Sequence, residues 1–299
     1  MIKKSFCNDY SNLQTLIHRR LKCQTVERFA SVSTPSKTIP TPPLNGCVND
    51  ANQMTGILKK YLGFSGTGTD ITLLTDAQAT KTAIMAELKS MVDGAKTGKY
   101  SYLVFSLSSH GSQAPDKNAD EADHFNEVFC PHDLAEKNGQ WDPAHIIIDD
   151  ELHDLFAQVP DNVLVETYLD TCHSGTGLKA IDLMPDRRPR YIAPPSMAGC
   201  EKVMSLMPRG LRRRLIEKSA KNVILWAACR DNQTSADAYI NGAYHGAFTY
   251  YWAKETTAAN NKISRKALLK KVNADLKSNH YTQVAQLECP ATQREISPK

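Results

Sequence analysis

The chain alternates apolar runs with polar stretches in two periods. Residues 163–169, Val-Leu-Val-Glu-Thr-Tyr-Leu, form an apolar, β-branched run that suits a strand covered on both faces. The run breaks abruptly at Asp170-Thr-Cys-His-Ser-Gly175, whose small polar residues suit an exposed turn. Residues 100–107 repeat this design and break at Ser108-Ser-His-Gly-Ser112. Residues 71–75 and 222–229 predict further strands. Helical spacing joins Met54, Ile57, Leu58 and Leu62, with Asn49 or Asp50 as cap and Gly63 as terminator, and it joins Ile84, Leu88, Met91 and Val92 within residues 80–92. Residues 146–152 run from a strand or loop into a helix reaching about residue 159, and two more helical segments lie near 247–257 and 264–278. This alternation predicts an α/β fold, a mostly parallel sheet sandwiched between helices in one domain. Residues 1–43 end in a Pro-rich stretch and predict an irregular segment, within which only residues 26–32 offer a weak strand. The polar stretch after His110 predicts a functional loop.

The two breaks carry the chemistry. Parallel sheets place their ligands at the carboxyl ends of strands, and Cys172 and His110 sit at two such ends. A thiol nucleophile needs a base, and an imidazole on an adjacent parallel strand can take its proton or hold the thiolate as an ion pair. His173 is a poor base for its neighbour, because consecutive side chains of extended backbone point apart. Gly175 and Gly177 permit a sharp turn, and the backbone N–H groups of Gly111 and Cys172 are candidate donors to an oxyanion.

Taken together, Ser108-Ser-His-Gly-Ser112, Asp120-Glu-Ala-Asp123, Asp149-Asp-Glu-Leu152 and Asp170-Thr-Cys-His-Ser-Gly175 resemble the motifs of metacaspases, caspase-like cysteine peptidases. The blocks at residues 44–51, 228–237 and 246–251 are similar to further family blocks, so the resemblance covers roughly residues 44–290. It implies a caspase-like peptidase domain over residues 44–299, with a large part to about 185, a basic connection at 186–221 and a small part at 222–299. It also implies a Cys172/His110 dyad cutting after Arg or Lys, with Asp50 and Asp170 lining the specificity pocket and Ser108 nearby. The competing reading is that Asp50 caps its helix and Asp170 orients its turn, and it suits Asp50 better than Asp170. The resemblance and the acidic cluster together point to calcium on Asp123, Asp149 and Asp150, with Asp120 a further ligand, since hard carboxylate oxygens suit that ion. Helix capping by Asp149 and Asp150 is the competing reading. Two features depart from the family: the weak opening strand, and Ser109 where the family usually has Gly.

Charge and cysteines narrow the class. The 299 residues carry a formal charge of +4, but residues 186–221 hold ten Lys or Arg against three Asp or Glu, so this stretch is +7 and the rest −3. No recognition motif or interleaved aromatics accompany the basic stretch, which argues against a nucleic-acid partner and for an exposed connection. Its Arg187, Arg188, Arg190, Arg212, Arg213 and Arg214 are candidate self-cleavage positions for an enzyme that cuts after Arg. The eight scattered cysteines do not form a disulfide framework, and Cys229 reads as a core thiol at a strand end. No apolar segment follows the basic start and no run spans a bilayer, so the expectation is a cytoplasmic protein acting on protein or peptide substrates, without membrane or organic cofactor. The competing readings are an inactive caspase-like interaction scaffold and, more remotely, a zinc module on His124, Cys130 and His132.

Overall fold

The computed structural model describes residues 24–29, 43–115, 125–172, 186–195 and 223–298. The chain enters a sheet at β1 (Gln24–Phe29), passes through α1 (Cys47–Tyr61) and β2 (Ile71–Leu74), and continues through α2 (Lys81–Lys96) to β3 (Tyr102–Ser108). A small antiparallel sheet follows, built from β4 (Gly111–Pro115), β5 (Phe125–Phe129) and, beyond the hairpin β6 (Glu136–Lys137) and β7 (Gln140–Trp141), β8 (Ile147–Ile148). Then come α3 (Asp149–Phe156), β9 (Leu164–Asp170), β10 (Arg187–Pro189) and β11 (Val223–Ala227). The hairpin β12 (Ala236–Ile240) and β13 (Ala243–Gly246), α4 (Ala247–Ala258), α5 (Arg265–Ser278), β14 (Gln286–Glu288) and α6 (Ala291–Arg294) complete the described residues.

The main sheet has the order β14-β11-β9-β3-β1-β2, parallel except for the antiparallel edge strand β14. Side chains of a strand alternate between faces, and here the alternation sorts one continuous sequence into two cores. Tyr102, Val104, Tyr168, Ile224 and Trp226 pack with α1, α4 and α5, whereas Leu103, Phe105, Leu107, Val165, Leu169, Val223 and Leu225 pack with α2 and α3. Both faces are thereby covered, which is why these strands read as unbroken apolar runs. Among the described residues no helix is long and apolar enough to cross a membrane.

Two expectations need correction. Residues 1–43 are not irregular throughout: β1 lies inside the sheet, paired in parallel with both β2 and β3. Backbone bonds on two edges hold a segment whose own pattern is weak, because strand formation depends more on context than on propensity. The stretch after His110 is not simply a loop, since the chain passes at Gly111 directly into β4, which pairs along its whole length with β5.

One polar group lies inside the first core. Glu166, on β9, is fully buried, and its two carboxylate oxygens accept from Arg265 Nε (2.9 Å) and Nη2 (2.7 Å), Trp226 Nε1 (2.9 Å) and Tyr102 Oη (2.9 Å). Burial pushes this carboxyl up, but Arg265 and the other donors outweigh it and hold it below the usual carboxylate range. The pair clamps the start of α5 to the central strand. Arg265→Met is expected to lower the unfolding free energy by about 3–5 kcal/mol by stranding a buried carboxylate, and adding Glu166→Gln to recover part of it. Urea unfolding of parent, single and double variants checks this, and a single variant as stable as the parent contradicts it.

Candidate functional site

The register of the two central strands sets the site. β3 and β9 pair in parallel with Ser108 opposite Asp170, so His110 and Cys172 lie the same two residues beyond a matched pair, on adjacent strands at the carboxyl edge of the sheet. Both are buried. The His110 carbonyl accepts from Cys130 N (3.0 Å), which ties the end of β3 to the residue after β5. Cys172 packs with Tyr191 and Cys229. Cys229 is thus a buried thiol at a strand end but also a neighbour of Cys172, its Sγ donating to the Gln233 carbonyl at 3.4 Å.

A segment of the chain itself lies across this edge. The Arg190 carbonyl accepts from Gly111 N (2.9 Å) and Cys172 N (3.4 Å), the two N–H groups singled out as candidate oxyanion donors. Upstream, β10 pairs antiparallel with β12, and Arg190 N donates to the Ser235 carbonyl at 3.0 Å. Downstream, Ile192 N donates to the Gly111 carbonyl at 2.9 Å, and Ser112 Oγ donates to the Ile192 carbonyl at 2.7 Å. Residues 187–192 therefore run extended through a cleft, held by backbone bonds on both sides of the Arg190–Tyr191 peptide.

The Arg190 side chain fills an acidic pocket. Its fully buried guanidinium donates from Nη2 to Asp50 Oδ2 (2.7 Å) and Asp237 Oδ1 (3.0 Å), and from Nη1 to Ser108 Oγ and the Asp170 carbonyl (3.0 Å), with Asp170 Oδ1 at 3.5 Å. A layer of donors fixes the carboxylates: Ser108 Oγ (2.6 Å) and Gly246 N (2.9 Å) reach Asp50, Ser235 Oγ (2.6 Å) and Thr249 N and Oγ1 (3.0 and 2.7 Å) reach Asp170, and Asn45 N and Gly46 N (2.8 and 3.0 Å) reach Asp237. Gly246 is required here, because a Cβ would run into Asp170 Oδ2 and Arg190 Nη1. Burial raises both the Asp50 and Asp170 carboxyls. Arg190, with the Ser108 bond and the nearby His245 ring, outweighs burial at Asp50, whose net shift is downward, whereas at Asp170 burial and the Asp50 charge prevail and the net shift is upward.

The pocket settles what each predicted residue touches. Asp50 does not cap α1, since Gly46 occupies the N-cap and the carboxylate points across to Gly246, Ser108 and Arg190. Asp149 is buried and Asp150 half-buried in the first turn of α3, where Glu151 reaches back to Ile148 N at 3.0 Å. Asp120, Asp123, His124, His173, Gly175, Gly177 and Arg212 to Arg214 lie outside the described residues. Among the described residues no group of three or more His, Cys, Asp or Glu is placed to hold a metal. Ser235, Asp237 and Thr249 were not singled out, although they stand in the blocks at 228–237 and 246–251. Asn241-Gly242, both at positive φ (52° and 94°), forms the turn that brings β12 and β13 together, and that dipeptide was a legible hairpin signal. Arg190 carried no local signal that set it apart from its basic neighbours.

Comparison with known proteins agrees with this geometry. The profile of the metacaspase peptidase C14 domain matches residues 31–181. Metacaspase-1 of Coccidioides immitis is 30% identical over 280 residues, covering 82% of this chain and 58% of the relative. Metacaspase-1A of Aspergillus fumigatus is 29% identical, covering 82% of this chain and 64% of the relative. The chain thus spans from 58% to 64% of the length of these relatives. Among solved structures, a protein from Geobacter sulfurreducens superposes with a TM-score of 0.65 at 22% identity, covering 92% of this chain and 98% of its own. Caspase-1 from Spodoptera frugiperda gives 0.55 at 10% identity, covering 89% and 85%. The second likeness shows the caspase-like fold. With a domain profile matched over half its length, the chain belongs to the metacaspase family, peptidase C14.

Proposed function

We propose that the chain is a cysteine endopeptidase that uses a Cys172/His110 dyad to cleave protein or peptide substrates after Arg or Lys. The observation that carries this reading is the seat of Arg190, with its carbonyl between two backbone donors beside Cys172 and its guanidinium among three carboxylates. The Cys172 thiolate attacks the carbonyl carbon, and the electron pair shifts to the oxygen, where Gly111 N–H and Cys172 N–H receive the charge. The His110 imidazolium protonates the departing amide nitrogen as the C–N bond breaks. Water, deprotonated by His110, then releases the acyl group from sulfur and leaves a carboxylate on the basic residue. The scaffold reading loses its support, because the opening strand is present as β1 and Ser109 Oγ simply donates to the His110 carbonyl at 2.9 Å. Folded Cys172→Ala and His110→Ala are expected to lose peptide cleavage by a factor on the order of 10³ or more. A wild-type rate in either variant, with an unchanged circular dichroism spectrum, removes the assignment.

Specificity follows from charge. Partly desolvated carboxylates favour a cation and repel an Asp side chain, so cleavage after Arg or Lys is expected and cleavage after Asp is not. Because Arg190 already lies in the cleft, the self-cleavage expected between residues 186 and 221 falls on the Arg190–Tyr191 bond. Mass spectrometry of incubated protein is expected to find a new amino terminus at Tyr191, absent from Cys172→Ala, while Asp170→Ala weakens the preference for Arg in a peptide library. A library cut after Asp or apolar residues, or an Arg preference intact in Asp170→Ala, contradicts the pocket assignment.

Calcium is proposed as an activator. Asp149 and Asp150 follow β8 directly, and β8 pairs with β5, the strand that follows residues 116–124, where Asp120 and Asp123 lie. The carboxylate oxygens of these four residues suit a hard divalent cation better than zinc, which prefers sulfur or imidazole. A calcium ion held by these carboxylates would supply positive charge that offsets the repulsion between Asp149 and Asp150. Titration calorimetry is expected to show calcium binding that Asp149→Ala and Asp150→Ala weaken; the absence of binding, with activity indifferent to chelators, rejects the site.

A further inference from the structure

The cleft holds a second arginine in a built seat. Arg187, three residues before Arg190, lies on β10 opposite Ala238 of β12. Its Nη1 donates to the His280 carbonyl and its Nη2 to the Asn279 carbonyl, both at 2.8 Å, while Cζ lies 3.8 Å above the centre of the Tyr281 ring. The guanidinium is thus stacked on one face and bound at two corners.

Three physical features make this seat selective for a cation. Asn279 is the C-cap of α5, so the carbonyls lie at the negative end of a fourteen-residue helix. His280 takes a positive φ of 62° and the Tyr281 N–H returns to the Leu276 carbonyl at 2.9 Å, which fixes the turn that presents those carbonyls. Tyr281 in turn packs edge-on against Tyr251, whose ring centre is 6.0 Å away, so the aromatic wall is backed by the core. A planar guanidinium that stacks and donates to two acceptors is served better than an ammonium. By strand alternation Arg188, the next residue, points elsewhere, and its Nη1 meets the Pro43 carbonyl at 2.7 Å.

The position of Arg187 is set by backbone pairing with β12, which any extended peptide can reproduce. We propose that Tyr281, with the Asn279 and His280 carbonyls, forms a cation-binding subsite for the fourth residue upstream of the cut, so that the enzyme selects peptides carrying Arg both there and directly before the scissile bond. This rests on the endopeptidase reading above and adds a second specificity determinant to it.

Four fluorogenic peptides, Arg-Arg-Pro-Arg, Lys-Arg-Pro-Arg, Ala-Arg-Pro-Arg and Glu-Arg-Pro-Arg, cleaved by the full chain test it through kcat/KM. Arg in the first position is expected to exceed Ala on the order of tenfold, with Lys between them and Glu below Ala. In Tyr281→Ala the Arg-to-Ala ratio is expected to fall close to one, and in Tyr281→Phe, which keeps the ring, to persist. Equal rates for the four peptides overturn the subsite while leaving the endopeptidase reading in place. Failure to cleave any of them overturns that reading itself. A ratio unchanged in folded Tyr281→Ala shows that another group makes the selection.

Discussion

The functional edge of this protein depends on a single buried guanidinium. Removing Arg190 from water is costly, and that cost is offset only because carboxylates from α1, β9 and β12 converge on it. Asp237 adds a further tie, since it also accepts from the backbone of Asn45 and Gly46 at the entry to α1. Elements from both sides of the basic connection therefore meet at one cation. The pocket exists only when the two parts of the domain are assembled.

On the peptidase reading proposed here, that arrangement makes the same contact a substrate-like seat and an obstruction. A segment tethered in the same chain competes at an effective concentration in the millimolar range, far above that of most free peptides. Tyr191 covers Cys172, and Ser112 and Gly111 hold the backbone of Ile192, so an incoming peptide meets an occupied cleft on both sides of the bond to be cut. On the reading proposed here, cleavage at Arg190 removes the tether on one side and places a carboxylate where the carbonyl had been. Its negative charge is set against Asp170 and a neighbouring thiolate, and departure of the segment is favoured. The resting chain and the working enzyme then differ in the occupancy of one pocket.

How much of this was legible in the sequence depended on whether the cause was local. The runs at 100–107 and 163–169 announced buried parallel strands because both faces are covered, and the apolar spacing of Ile84, Leu88, Met91 and Val92 announced α2, whose buried face they form. β1 was nearly invisible, because its hydrogen bonds come from neighbours far away in sequence. An acidic residue in a first helical turn looks the same whether it caps or reaches across the fold, so the reach of Asp50 to Gly246, 196 residues away, was undetermined by pattern. Arg190 was hidden for the opposite reason. It stands in a run of basic residues that a solvated connection explains equally well, and only the tertiary arrangement separates its fully buried guanidinium from the half-buried Arg187 and Arg188 beside it.

The two buried arginines among the described residues, Arg190 and Arg265, sit in differently balanced sites. Arg265 meets one carboxylate, and Tyr102 and Trp226 complete the four bonds to Glu166, so the cluster is neutral and saturated. Arg190 meets three carboxylates, with the His245 imidazole 3.6 Å from Asp50, and the balance of the pocket is negative even when Arg190 is in place. At Asp170 burial, together with the Asp50 charge, outweighs Arg190, and the carboxyl is shifted upward. A neutral pair gains nothing by exchanging its cation. On the reading proposed here, a pocket with surplus negative charge accepts the guanidinium or ammonium of a substrate, and its selectivity then rests on the backbone pairing with β12 and on the side chains that flank the cation along the strand.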